Sequence, residues 1–316
     1  MKCRNLRGTS QGRSKRLRLG PAGIHIFDRV SGSNILIDEL CPPSSSWAAA
    51  PRQVSIALTN TCDLACPYCF APKSRGTLDF KLLTGWLDEL DANGAIAVGF
   101  GGGEPTLYPR FAELCRYTTQ NTGMAVTFTT HGHHLNDELI TALYGNVHFV
   151  RISMDGLGTT YESLRGRSFA VFQRRINKLK ELAPFGINYV VNAKTFPDLE
   201  AATELAARIG AAEFLLLPEQ PVNDRGGIDL DTTHALQDWV RGYRGSVRLA
   251  VSERGAGDMP TCNPFEAETG LRAYAHVDAN GVLKPTSYDC EGVEIRNSGL
   301  IAALQLLAQR AIPSKE

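Results

Sequence analysis

VSIALTNTCDLACPYC, residues 54–69, joins a short apolar run to three cysteines at C-x3-C-x2-C spacing. The run Val54–Leu58 has the length of a buried strand, so the cysteines fall in the loop that follows it. Three thiolates this close together can converge on one soft-metal centre. Three, rather than four, leaves one iron of a 4Fe–4S cube without a protein ligand. Such an open iron can bind and reduce a small molecule, whereas a fully ligated cluster mostly carries electrons. A zinc knuckle is the plainer reading, but zinc wants four N/S ligands and no fourth lies at finger spacing.

Outward from that loop, strand and helix signals alternate. A helix is expected over Asp79–Asp91, with Leu82, Leu83, Trp86, Leu87 and Leu90 at helical spacing. Strands follow at Ile96–Phe100, Ala125–Thr129, Val147–Ile152, Ile187–Asn192 and Glu213–Leu217. Helices separate them at Pro109–Gln120, at Asn136–Leu143, along Phe169–Ala183 and at Asp198–Ile209. Strand then helix, repeated in this way, is the pattern of parallel strands with helical crossovers. Ahead of it, Ile24–Phe27 and Asn34–Ile37 flank Ser31-Gly32-Ser33 as a small hairpin, and Pro42-Pro43 opens a connector. Beyond Pro218 come a helix near Thr232–Tyr243, a strand at Val247–Val251, a hairpin turning at Asn280-Gly281 and a last helix, Leu300–Ala311. The chain therefore divides into 1–50, 51–222 and 223–316.

Lys+Arg and Asp+Glu each number 33, so no global charge points to nucleic acid or a membrane surface. Seven Lys/Arg precede the first acid, Asp28, among Ser, Gly and Thr. That stretch reads as a solvated tail, or as an arm holding an acidic peptide or nucleic acid. It has no apolar signal-peptide segment, and no apolar run reaches membrane-spanning length. Eight cysteines in 316 residues is not disulfide-scaffold density, which favours metal binding in a reducing cytoplasm.

Two further motifs fall at strand ends. Gly101–Pro105 reads GGGEP, and Arg151–Gly156 reads RISMDG. Together with CDLACPYCF, they resemble the radical S-adenosylmethionine (SAM) superfamily over roughly residues 50–220. That resemblance implies an α/β fold, a partial (β/α)6 TIM-like barrel, here with a small N-terminal hairpin and a short α+β C-terminal extension. It implies that Cys62, Cys66 and Cys69 hold a 4Fe–4S cluster whose fourth iron is chelated by SAM. One electron, from a donor such as flavodoxin or ferredoxin, then cleaves SAM to methionine and a 5′-deoxyadenosyl radical. It also implies that Tyr68 leans on the adenine, and that Gly102, Gly103 and Glu104 hold the methionine amine. Ser153 and Asp155 would contact ribose and carboxylate. Arg165 would pair the carboxylate, a task suited to a guanidinium fork, or is a surface arginine.

The sequence departs from the family's pattern in two places. Thr129-Thr130-His131-Gly132 carries His131 where the family has Asn, followed by His133 and His134. No carboxylate is spaced along the sequence to join these histidines as metal ligands, so His133 and His134 read as loop surface. Asn192 and Glu219, at strand ends, either touch cofactor or substrate or cap loops. Cys262 through Cys290 resembles a shortened SPASM or twitch element, but the cysteine expected after the hairpin is missing. Either Cys3 or Cys41 completes an auxiliary Fe–S cluster with Cys262 and Cys290, or none exists and a thiol donates a hydrogen atom. Cys115, on a helix, reads as buried and inert. The leading expectation is an enzyme that abstracts hydrogen from a peptide. The alternatives are an enzyme acting on a sugar, nucleoside or amino acid, and a non-catalytic Fe–S sensor or electron carrier.

Overall fold

The structure, a computed structural model, describes residues 14–222 and 226–310. Three strands come first: β1 (Lys15–Gly20), β2 (Gly23–Asp28) and β3 (Ser33–Ile37) form an antiparallel sheet in that order. The expected hairpin is β2–β3, with Gly32 at φ +71 in its turn. The tail reading is corrected from Lys15 onward, because that segment is a strand. Arg16 pairs with Asp91, and Arg18, 2% exposed, pairs with Glu268 while donating to the carbonyls of Ala50 (3.0 Å) and Gly94 (2.8 Å). A guanidinium buried with its donors filled ties the small sheet to the main body. Residues 1–13, with the rest of the basic stretch and Cys3, lie outside the described residues.

The main sheet begins with β4 (Gln53–Thr59), α1 (Phe80–Ala92), β5 (Ala97–Gly102), α2 (Phe111–Asn121), β6 (Ala125–Thr130) and α3 (Asp137–Leu143). It continues through β7 (Phe149–Ser153), α4 (Gly158–Arg165), α5 (Phe169–Asn177), β8 (Phe185–Val191), α6 (Leu199–Arg208) and β9 (Glu213–Pro218). Then come α7 (Leu230–Gly242), β10 (Leu249–Val251), β11 (Tyr274–Val277), β12 (Val282–Lys284), β13 (Val293–Glu294) and α8 (Leu300–Arg310). The strand order is β10-β9-β8-β7-β6-β5-β4-β11-β12-β13. From β10 to β11 every pairing is parallel, so β4 to β9 lie side by side in chain order, as in a (β/α) barrel. β4 pairs with β11 and β9 with β10 rather than with each other, which leaves the barrel open.

Alternation along the strands decides where the core sits. Val54, Ile56, Val98, Phe100, Val126, Phe128, Val150 and Ile152 are at most 1% exposed and cluster with Leu83, Leu87, Leu114 and Phe172 of the helices. Burying each such side chain contributes about 1.5–3 kcal/mol. The opposite face carries Ser55, Gly99, Thr127, Arg151 and Asn188, small or polar and only half-buried. Helices start where side chains cap them: Asp79 accepts from the N–H groups of Lys81 (2.8 Å) and Leu82 (3.1 Å), and Asn136 from Leu139 (2.8 Å).

The expected Asn280-Gly281 hairpin is β11–β12, with Gly281 at φ +79. Its first strand extends the barrel sheet beside β4. Glu89 of α1 caps α8, accepting from Leu300 (2.6 Å) and Ile301 (3.0 Å). Among the described residues, no helix is long and apolar enough to cross a membrane.

Candidate functional site

The cysteine loop leaves the C-terminal end of β4 and returns to α1. Its two ends are zipped together, Asn60 N–H donating to Gly76 O at 2.9 Å and Thr59 Oγ1 lying 3.0 Å from Thr77 Oγ1. Cys62, Cys66 and Cys69 are free thiols, all half-buried. Cys69 N–H donates to Cys66 O at 3.2 Å, and Leu64 N–H to Cys62 Sγ at 3.4 Å. Burial pushes both the Cys62 and Cys66 thiols up, against the Leu64 N–H at the first and Arg165 at the second. Metal binding at these sulfurs therefore expels protons.

GGGEP packs directly on this loop. Gly103 N–H donates to Thr59 O at 2.7 Å and Glu104 N–H to Thr61 O at 2.8 Å. A Cβ on Gly102, at φ +130, would sit 2.2 Å from Thr59 O, and one on Gly103 2.3 Å from Thr61 O. The glycines let two strand ends touch. Glu104 is 1% exposed. Its Oε1 accepts from Thr106 N (3.2 Å), Thr106 Oγ1 (2.6 Å) and Thr130 Oγ1 (2.7 Å), and its Oε2 from His131 N (3.0 Å).

Folding supplies the carboxylates that sequence spacing did not. Asp63, inside the cysteine motif, lies 2.9 Å from His131 Nε2 and 3.3 Å from His134 Nε2, and accepts from Arg167 at 2.9 Å. Burial alone would raise Asp63, but its hydrogen bonds with His134 and His131 hold it well below the usual carboxylate range. Burial pushes His131 down, with Glu104 and Asp63 working the other way. His133 is not loop surface: it is half-buried, with Nε2 2.9 Å from the Tyr161 hydroxyl. His134 is also half-buried. The ligand atoms of Cys62, Asp63 and His131 fall within 4.8 Å of one another.

Across the loop, the Tyr68 hydroxyl donates to Asp155 Oδ2 at 2.6 Å, and Val190 N–H donates to Asp155 Oδ1 at 2.7 Å. Arg165, at the end of α4, pairs with the same carboxylate and reaches Cys66 Sγ at 3.5 Å. Its side chain is 9% exposed, so it is no surface arginine. Burial works against its charge, but Asp155 raises the guanidinium above its ordinary value. Ser153 ends β7 next to Asp155, between the buried Ile152 and Met154.

The remaining candidates sit apart from this network. Asn192 Nδ2 donates to Glu219 Oε2 at 2.6 Å, while its Oδ1 accepts from Lys194 N (2.9 Å) and Thr195 N (3.0 Å). These contacts cap the loop after β8. Cys262, Cys290 and Cys41 are exposed, and Cys115 is buried with its thiol pushed up by burial. No three-ligand group among the described residues includes any of these four. The segment before Cys290 does reach the cysteine loop, with Tyr288 packing 4.7 Å from Phe70.

Residues 56–206 match the family profile described as Radical SAM superfamily. The barrel belongs to the radical SAM superfamily. Mycofactocin maturase MftC of Mycobacterium tuberculosis is 31% identical over 172 residues, 51% of this chain and 43% of MftC. The AdoMet-dependent heme synthase of Methanosarcina barkeri is 30% identical over 182 residues, 54% of this chain and 52% of the synthase. The match thus spans about half the length of these curated relatives. In fold, the chain is similar to Streptococcus suis SuiB bound to its precursor peptide SuiA, with TM-score 0.69 and 14% identity over 92% of this chain and 87% of SuiB.

The residues present fit what a radical SAM site holds. Three free thiols share one loop, and Arg165 Nε is buried without a hydrogen-bond partner among the described residues. Sequence reasoning missed Asp63, Thr130 and Arg167 as members of the site. For Asp63 the signal was present, as a carboxylate between two cluster cysteines; for the others it was not.

Proposed function

We propose that the protein is a radical SAM enzyme that modifies a peptide, abstracting a hydrogen atom from a side chain or α-carbon. Cys62, Cys66 and Cys69 would hold the 4Fe–4S cluster, and Tyr68, Gly102, Gly103, Glu104, Ser153, Asp155, Arg165 and Asn192 the SAM. When bound, cluster and SAM together supply one-electron reductive cleavage of the sulfonium and the hydrogen abstraction that follows. The observation that carries the reading is that Arg165 joins Cys66, on the cysteine loop, to Asp155, at the end of β7.

In this reading each residue has a task set by its contacts. Arg165 offers a carboxylate its Nε, which is unpaired among the described residues. Tyr68, held by Asp155, presents its ring beside the last cysteine. The backbone at Gly102 and Gly103 sets how closely β5 approaches the cysteine loop. Residues 51–222 would be the catalytic barrel, with 1–50 and 223–316 as its attachments. An electron donor such as flavodoxin or ferredoxin and a cytoplasmic setting belong to the same proposal. So do catalytic roles for Glu219, Cys262 and Cys290, and an auxiliary cluster on the two cysteines.

The likeness to MftC, named a maturase, favours a peptide. The similar identity to a heme synthase favours a second reading, in which the substrate is a small molecule. Anaerobic reconstitution, strong reductant and SAM should yield 5′-deoxyadenosine, and Cys66→Ala should abolish it. Persistence of that product in the variant would refute the ligand assignment. Mass spectrometry of peptide and small-molecule pools after the same incubation separates the two substrate classes.

A further inference from the structure

His131 lies where three chain segments meet: the cysteine loop through Asp63, the end of β5 through Glu104, and its own strand end. The contacts of its ring determine its tautomer. His133 N–H points at His131 Nδ1 at 3.1 Å, and a backbone amide can only donate. Nδ1 is therefore an acceptor and carries no proton. A neutral imidazole has one N–H, so the proton sits on Nε2. Nε2 lies 2.9 Å from Asp63 Oδ1, with Glu104 Oε2 at 3.3 Å.

This assignment decides between two roles for the group. Cys62, Asp63 and His131 are close enough to share a single metal ion. A metal on Nε2 would leave His131 without a proton on either nitrogen while Nδ1 still accepts from His133. An ordinary imidazole ligand instead donates from the nitrogen that does not bind the metal. The ring is thus arranged as a hydrogen-bond donor, and its acceptor is the carboxylate that follows the first cysteine.

We propose that His131 is a positioning residue for the cluster loop. As a neutral Nε2–H donor it locks Asp63, and with it the Cys62–Cys66 segment, against the Glu104 end of β5. Arg167 holds the other side of the same carboxylate at 2.9 Å and the Asp63 carbonyl at 3.3 Å. The lock fixes the spacing between the cysteines and GGGEP, so it shapes the SAM site without touching SAM. Its consequence for cofactor binding rests on the function proposed above; the tautomer and the lock itself do not.

Two measurements test it. In cluster-free protein carrying 15N-labelled histidine, NMR at neutral pH should show His131 protonated at Nε2; the Nδ1–H form would overturn the proposal. In reconstituted protein, His131→Ala should weaken SAM binding about tenfold, the loss of one hydrogen bond to a charged group, with iron held near four per chain. His131→Gln, which keeps an amide donor at similar reach, should recover most of that affinity. The double variant Asp63→Ala/His131→Ala should be no weaker than Asp63→Ala alone, because that substitution already removes the bond to His131. Unchanged affinity in His131→Ala, or a Gln variant as weak as Ala, would overturn the lock. So would one equivalent of Zn2+ bound by cluster-free protein and lost in His131→Ala, which makes the group a metal site instead. If wild-type protein takes up no cluster or SAM, the proposed function fails while the NMR result still decides the lock.

Discussion

Arg165 Nη1 approaches Cys66 Sγ at 3.5 Å while the same guanidinium pairs with Asp155, so one side chain spans the cysteine loop and the end of β7. Removing it leaves the buried Asp155 carboxylate, among the described residues, with the Tyr68 hydroxyl and Val190 N–H as its hydrogen-bond donors. Arg165→Ala should weaken SAM binding by more than about tenfold, the scale of a lost charge-assisted bond. Arg165→Lys keeps the charge without the fork and should fall between the two. Equilibrium binding of SAM to reconstituted protein reads both. Wild-type affinity in Arg165→Ala would confine the residue to holding Asp155.

Iron content separates the two fates of Cys262 and Cys290. Both are exposed, and the missing cysteine of the C-terminal element leaves them short of a cluster's usual complement. Anaerobic reconstitution should give about four irons per chain with the barrel cluster alone, or about six to eight with an auxiliary one. Cys262→Ala/Cys290→Ala should lower a count in the higher range to about four. An unchanged count removes both thiols from cluster binding.

The three glycines of GGGEP should respond differently to alanine. At Gly102 and Gly103 a Cβ meets backbone carbonyl oxygen at 2.2 and 2.3 Å, and Gly102 also needs φ +130. Backbone cannot move aside as a flexible side chain does. Each substitution should cost about 2–4 kcal/mol of stability. A Cβ on Gly101 meets nothing within 4 Å among the described residues, so Gly101→Ala should fold as the wild type. Thermal unfolding of cluster-free protein checks all three, and equal Tm values would show that β5 does not press on the cysteine loop as described.

How much of this was legible beforehand depends on how far apart the partners lie. Val54–Leu58 followed by CDLACPYC, and Leu83, Trp86, Leu87 and Leu90 on one helix face, are local patterns, and they gave the barrel's winding. β1 was hidden because its alternate residues are arginines, which read as solvated. Arg16, half-buried, and Arg18, buried, pair with Asp91 and Glu268, 75 and 250 residues away. α4 was missed because Gly158-Thr159-Thr160 has neither helix propensity nor an apolar stripe. With it went the burial of Arg165. The Asp63–His131 contact spans 68 residues, so spacing along the sequence showed three histidines without a carboxylate.

Acid should unfold the protein through its buried histidines. His276, 7% exposed, is pushed down to about 4 by burial, with Asp278 working against the shift. His25 and His148 are also lowered to about 4, burial first, with Arg52 and Arg18 adding at His25 and Arg29 at His148. Between about pH 4 and the ordinary histidine value near 6.5, the unfolded chain binds protons that the folded one does not. Stability therefore rises with pH across that window. The contribution is whole above pH 6.5 and is lost as pH falls towards 4. For His276 the shift corresponds to about 3 kcal/mol at the acid end. Urea unfolding of cluster-free protein at pH 7.5, 6, 5 and 4.5 should show the midpoint falling steeply below pH 6.5. His276→Gln should flatten that slope even where it lowers stability at pH 7.5. A midpoint independent of pH from 7.5 to 4.5 would mean that these imidazoles take up protons without leaving the fold.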